Sequence, residues 1–221
     1  MRLRPAPARP LRYLRDPKAI YAESFEIVRR ETRLSHLPAD LQDVAIRLVH
    51  ASGMTETADR LAWSEDVAAS GRAALSAGAP VLCDCAMLAH GVIRRGLPAG
   101  VEVLTMIDHP ETAPLAERLG TTRSAAAVEL WADRIAGAVV AIGNAPTALF
   151  HLLERLDAGW PRPAAVLAFP VGFVGAAESK AELAARPRGA PFLTLRGRRG
   201  GSALAAAAVN ALTLGLSGDG T

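Results

Sequence analysis

Three loops of this chain could grip an anion, and one helix could move a proton. The loops share one pattern: an apolar run, a glycine turn, then a helix start rich in small residues. They occur in AVVAIGNAPTALF from Ala138, VLAFPVGFVGAAESK from Val166 and FLTLRGRRGGSALAAAAVNAL from Phe192. Each run suits a buried strand, and each loop would project from that strand's C-terminal end, where open α/β sheets bind ligands. Unpaired N–H groups at a helix start favour anions. Gly143, Asn144 and Thr147, then Gly172 and Lys180, then Arg198, Gly200 and Ser202 are therefore candidate binding residues. A βα turn needs glycine for its own geometry, so each loop also has a purely structural reading. Three such loops on one edge favour binding.

The anion need not be a nucleotide. No G-x-G-x-x-G follows a strand, and Lys180 lacks the preceding glycine of a P-loop. Carboxylates fit as well as phosphates. For proton transfer, His50 stands out among five histidines because Arg47 lies one helical turn before it. An imidazole beside a cation gives up its proton readily, which suits proton exchange near neutral pH. Arg123 opens a helix after Gly120 and reads either as a solvated arginine or as a carboxylate clamp. No histidine pair has metal-ligand spacing, and no G-x-S-x-G elbow supplies a nucleophile.

These residues need elements to hold them. Asp16-Pro17 reads as a helix start, with Asp as cap and Pro at the first position. Tyr21, Ser24, Phe25 and Val28 then share one face by 3.6-residue periodicity. A second helix from Asp40 places Leu41, Val44, Ala45, Leu48 and Val49 on a core-facing stripe, with Arg47 and His50 beside it. Strands are expected at Val81–Ala86, Val101–Ile107, Ala138 onward, Val166–Val171 and Phe192–Leu195. Helices are expected over Glu129–Ala136, from Pro146 to about Gly159, over Ala176–Ala185, and from Ser202 as N-cap. Alternating β and α after a helical N-terminal segment predicts a Rossmann-like, three-layer αβα fold around a mostly parallel sheet. The expected organisation is a flexible basic arm over residues 1–15 and a single α/β domain over 16–221.

Composition narrows the function classes. Half of the 221 residues are hydrophobic, largely alanine, which suits close helix–sheet packing. The net charge of +3 is mild, and aromatics at 5% are too few for a nucleic-acid surface of interleaved basic and aromatic side chains. Cys83 and Cys85 stand two apart, too close for a relaxed disulfide and without a second ligand pair for zinc, so they read as small buried residues in a reducing cytoplasm. The first dozen residues lack the apolar core of a signal peptide. The apolar stretch Ala203–Leu216 is shorter than the ~20 residues of a membrane span. A soluble cytoplasmic protein, binding neither nucleic acid nor membrane, is the expectation.

Together, YAESFEIVRRE (Tyr21–Glu31), IRLVHASGMTETADRLAWS (Ile46–Ser64), TTRSAAAVEL (Thr121–Leu130) and the three loop segments resemble the precorrin-8X methylmutase family of cobalamin biosynthesis. The likeness runs from about Asp16 to Leu216. The resemblance implies a homodimer that needs no cofactor and no protein-bound metal. It moves a methyl group from C-11 to C-12 of a corrinoid tetrapyrrole substrate, giving hydrogenobyrinic acid. It also implies that His50 is the catalytic proton donor and acceptor, and that Ser24 and Arg123 lie near the reacting part of the ring. Arg47 stands one turn before the histidine. Such a shift needs no nucleophile, and the glycine loops with Lys180 and Arg198 suit a substrate rimmed by carboxylates. The cobalt-containing version of the reaction, a non-catalytic tetrapyrrole carrier, and a nucleotide-binding module (against which the missing fingerprint counts) are the competing readings. Asp84, between two cysteines where aliphatic residues are expected, departs from the pattern, and the arginine-rich arm has no assigned role.

Overall fold

A computed structural model describes residues 11–214. Leu11–Arg15 are exposed and carry no regular structure, while Arg2, Arg4 and Arg9 of the expected arm lie outside the described residues. The first helix, α1 (Pro17–Glu31), starts as its sequence dictates: the Asp16 carboxylate accepts the Ala19 N–H at 2.8 Å, with Pro17 in the first turn. Next comes α2 (Ala39–Ser52), which buries Leu41, Val44, Ala45, Leu48 and Val49 on one stripe. A 3₁₀ segment (Thr55–Arg60) follows.

Among the described residues six strands form one sheet: β1 (Leu61–Trp63), β2 (Val81–Cys83), β3 (Val103–Thr105), β4 (Val139–Ile142), β5 (Ala165–Ala168) and β6 (Phe192–Leu195). Their order is β1-β6-β5-β4-β2-β3, parallel throughout except for β1, which runs antiparallel to β6 with Leu61 opposite Leu195. The remaining helices are α3 (Val67–Ser76), α4 (Ala86–Gly91), α5 (Thr112–Leu119), α6 (Arg123–Glu129), α7 (Pro146–Asp157), α8 (Ala176–Ala185) and α9 (Ser202–Leu212). Alternate strand residues face opposite layers. Val81, Cys83, Val139, Ala141, Ala165 and Leu167 pack towards α2, α3, α4 and α9. Leu82, Val140, Ile142, Val166 and Ala168 pack towards α6, α7 and α8. This is the Rossmann-like three-layer arrangement. The chain goes from β2 outward to β3 and returns to β4 on the other flank of β2, so the topological switch lies between β2 and β4.

Several boundaries differ from the sequence expectation. The strands at 81, 101 and 166 are shorter: Ala86 already belongs to α4, the strand expected from Val101 starts at Val103 and ends at Thr105, and Phe169–Val171 turn out into a loop. The helix expected over Glu129–Ala136 is α6 instead, ending at Glu129. Beyond it Trp131, Ala132 and Arg134 donate to carbonyls three residues back, so the segment is a run of tight turns. Trp131 and Ile135 are buried there, and that four-residue spacing imitates a helical face. Ser202 does not cap α9: it is the first helical residue, after Gly201, and its hydroxyl lies 3.2 Å from Cys85 Sγ. Tyr21 shares the stripe with Phe25 and Val28, yet it is half exposed. Among the described residues no helix is long and apolar enough to cross a membrane.

Candidate active site

The seam between α1 and α2 presents the titratable group. Phe25 and Val28 on α1 are buried against the apolar stripe of α2, which fixes the two helices in register. Ser24 and His50 then meet at the rim, with Ser24 Oγ 3.0 Å from His50 Nδ1. The imidazole stacks on Phe25, ring centroids 4.7 Å apart and planes inclined by 28°, and Tyr21 continues the aromatic series at 4.4 Å from Phe25. Arg47 donates to the Tyr21 hydroxyl at 3.2 Å and sets its guanidinium over Phe25 at 5.5 Å. A pocket of about 200 Å³ opens beside the histidine, lined by Ser24, Ile27, Glu31, His50, Gly53 and Thr55 among others. A hydroxyl can donate or accept, so Ser24 can hold Nδ1 in either state of that nitrogen. That leaves Nε2 as the ring atom available to exchange a proton with a ligand.

The three loops lie along the sheet edge but differ from the anion cradle expected of them. In the β4–α7 loop the N–H groups of Gly143, Asn144 and Ala145 are already taken. The Asp84 carboxylate, completely buried at the end of β2, accepts all three, each at 2.9 Å. Burial raises the Asp84 carboxyl above its ordinary range, opposed by those three hydrogen bonds. Gly143 itself must be glycine, since a Cβ would lie 2.7 Å from Ser202 Cα at the start of α9. Lys180 is likewise not on the surface. It is fully buried, its Nζ donates to the Arg199 carbonyl, and desolvation lowers its pKa to about 8. Gly200 presses against the Phe169 and Pro170 carbonyls, where a Cβ would overlap Phe169 O. Gly172 donates its N–H to Arg198 O at 3.2 Å, while the Arg198 guanidinium covers the ring of Phe173 at 5.0 Å. Phe173 and Val174, at 84% and 89% exposure, make this rim apolar as well as cationic.

Two contacts extend these groups. Arg199 pairs with Glu56 at 2.6 Å, next to Thr55 of the His50 pocket, so the 3₁₀ segment bridges the pocket and the β6–α9 loop. On the other flank Thr122 caps α6 and its Oγ1 lies 2.8 Å from Thr147 Oγ1. Arg123, at the start of the same helix, donates to Ile107 O at 2.8 Å and pairs with Asp108 at 3.2 Å. The candidates therefore form three groups: Ser24, Arg47 and His50; Gly172, Lys180, Arg198 and Gly200; and Arg123 with Thr147. Asn144 is exposed beside the last, and Ser202 is buried against Cys85. Sequence reasoning missed Tyr21 and Phe25 as partners of His50, and it missed Asp84. An acidic residue inside an apolar strand run was the available signal, since a buried carboxylate demands donors.

A family model described as precorrin-8X methylmutase matches residues 19–214. The chain belongs to that family. It is 56% identical over 200 residues to a precorrin-8X methylmutase of Pseudomonas aeruginosa, covering 90% of this chain and 96% of the relative. A cobalt-precorrin-8 methylmutase of Salmonella typhimurium is 37% identical, covering 91% and 97%. Among solved structures, a precorrin-8X methyl mutase from Thermus thermophilus superposes with a TM-score of 0.81 at 36% identity, covering 91% of this chain and 97% of that one. As a precorrin-8X methylmutase, the protein is a methyl-shifting isomerase of cobalamin biosynthesis.

Proposed function

We propose that the protein converts precorrin-8X to hydrogenobyrinic acid, with His50 as the residue that donates and recovers the proton. The bond from C-11 to the methyl carbon breaks and the bond to C-12 forms, with no net change of oxidation level. One proton moves onto the macrocycle and returns, so a single acid–base residue suffices. The observation that carries this reading is the hydrogen bond between Ser24 Oγ and His50 Nδ1, 3.0 Å apart beside an open pocket. Metal-free substrate is favoured over the cobalt form because identity to the precorrin-8X relatives, 56%, exceeds the 37% and 33% to two cobalt-precorrin-8 relatives.

The pocket of one chain, about 200 Å³, is smaller than the ~300–1,000 Å³ that encloses a drug-sized ligand. A tetrapyrrole with carboxylate arms needs more wall than this, which supports a homodimer whose second subunit completes the cleft, and the free thiols of Cys83 and Cys85 suit the cytoplasm. Arg198, Arg123, Asn144 and Thr147 are then the rim contacts, with Gly143, Gly172, Gly200, Lys180 and Ser202 shaping the loops that carry them.

The test is conversion of precorrin-8X carrying a ¹³C label in its C-11 methyl group. The labelled methyl is expected on C-12 of an orange product. Label still on C-11 of tightly bound pigment would make the protein a carrier.

A further inference from the structure

The Asp84 carboxylate fills the place where an open α/β sheet usually receives a ligand's anion. It lies at the topological switch between β2 and β4, and it accepts N–H groups from the residues leading into the twelve-residue helix α7. Its Oδ1 takes Gly143, and its Oδ2 takes both Asn144 and Ala145. The next residue along, Cys85, touches Ser202 at the start of α9, and Gly143 packs on the same serine. The end of β2 thus locks the starts of two helices at once.

We propose that Asp84 is a positioning residue for the methylmutase reaction: an internal anion that closes the switch-point site to outside anions and holds the β4–α7 loop in the shape that presents Asn144 and Thr147 to the substrate rim. Three amides converging on one buried carboxylate fix the loop as a bound phosphate fixes a nucleotide loop, but without a ligand to lose. The fold keeps the backbone geometry of an anion site while excluding phosphate esters from it. The part concerning substrate rests on the function proposed above; the part concerning the anion cradle does not.

Asparagine cannot replace this carboxylate. Its single oxygen serves at most one side of the cradle, and its NH₂ faces an N–H donor on the other. In Asp84→Asn, amide hydrogen exchange on at least one side of the cradle, Gly143 or the Asn144–Ala145 pair, is expected to accelerate at least about tenfold, as the hydrogen bonds that protect it are lost. KM for substrate should rise about tenfold with kcat within about threefold, because the loop grips the rim and His50 is untouched. Asp84→Ala leaves room for a small carboxylate. Formate at 0.5 M should raise its Tm by about 2–4 °C more than the same concentration of sodium chloride does, and should lower KM again.

Wild-type protection of the three amides in Asp84→Asn, or equal effects of formate and chloride on Asp84→Ala, would overturn the internal-anion assignment. Both readouts need no substrate, so they stand even if the enzyme acts on something other than precorrin-8X. A fall in kcat at unchanged KM would overturn the positioning role alone.

Discussion

The seam between α1 and α2 and the switch point between β2 and β4 make opposite use of polar groups. At the switch point and in the loops beside it donors are turned inward: three amides to Asp84, the Gly201 amide to Phe169 O, and the Lys180 ammonium to Arg199 O. At the seam, one histidine is held by a single hydroxyl, stacked on one ring, and open to a pocket. The first arrangement makes shape and the second leaves chemistry available. On the function proposed above, the usual ligand crevice of an α/β sheet is a structural joint here, and the proton-exchanging group is His50 on a helix packed outside the sheet.

Substitutions on the two sides should fail in different ways. The largest effect is expected at the seam: His50→Asn should lower kcat by about 10²–10⁴, the contribution of a placed acid–base group, with melting temperature and pigment affinity little changed. Steady-state turnover with a thermal melt checks this, and an equal loss of stability would erase the contrast. Next comes Gly200→Ala, where the added methyl would overlap the Phe169 carbonyl. We expect destabilisation of about 2–4 kcal/mol in urea unfolding, from overpacking against backbone that cannot move aside. A change below about 0.5 kcal/mol would show that this loop is looser than its contacts imply.

Lys180 sharpens the contrast through pH. Its folded pKa of about 8 lies below the ordinary 10.5, so between these values the unfolded chain holds the proton and the folded one does not. Stability then rises with pH across that window, is fully present above 10.5, and is lost as pH falls through 8. At about 1.4 kcal/mol per pH unit, we expect a gain of up to about 3 kcal/mol from pH 8 to 10.5 in the wild type. Urea midpoints at the two pH values should show that gain, and Lys180→Met should lack it. The smallest effect is Ser24→Ala. Losing one hydrogen bond to His50 should cost about 1 kcal/mol of transition-state stabilisation, roughly fivefold in kcat/KM, with stability unchanged.

The contrast also explains what the sequence made legible. Asp16-Pro17, the stripe on α2, the helix after Pro146 and the apolar runs of β4 and β6 are local patterns, and they appear where periodicity and caps place them. The three-residue β1 is too short to show a period, and α3 (VAASGRAALS) is rich in alanine, with only Val67 and Leu75 as large apolar markers of its buried face. Lys180 and Arg198 were visible as cations near glycines. That one is buried and the other covers an exposed phenylalanine depends on how loops from β5 and β6 meet. Asp84 finds its donors about 60 residues away, so its charge was legible and its purpose was not. The pairing of Ser24 with His50 spans 26 residues and two helices. Spacing along either helix alone does not reveal it, and the family resemblance implies only that both residues lie near the reacting part of the ring.

If the chemistry belongs to the seam while the loops serve binding and shape, the most direct measurement is to load His50→Ala with metal-free precorrin-8X and follow a single turnover of the bound pigment by its visible spectrum. Wild-type pigment stoichiometry is expected, with a conversion rate at least about a hundredfold below that of the loaded wild type. Conversion of the bound pigment at the wild-type rate would place the chemistry elsewhere.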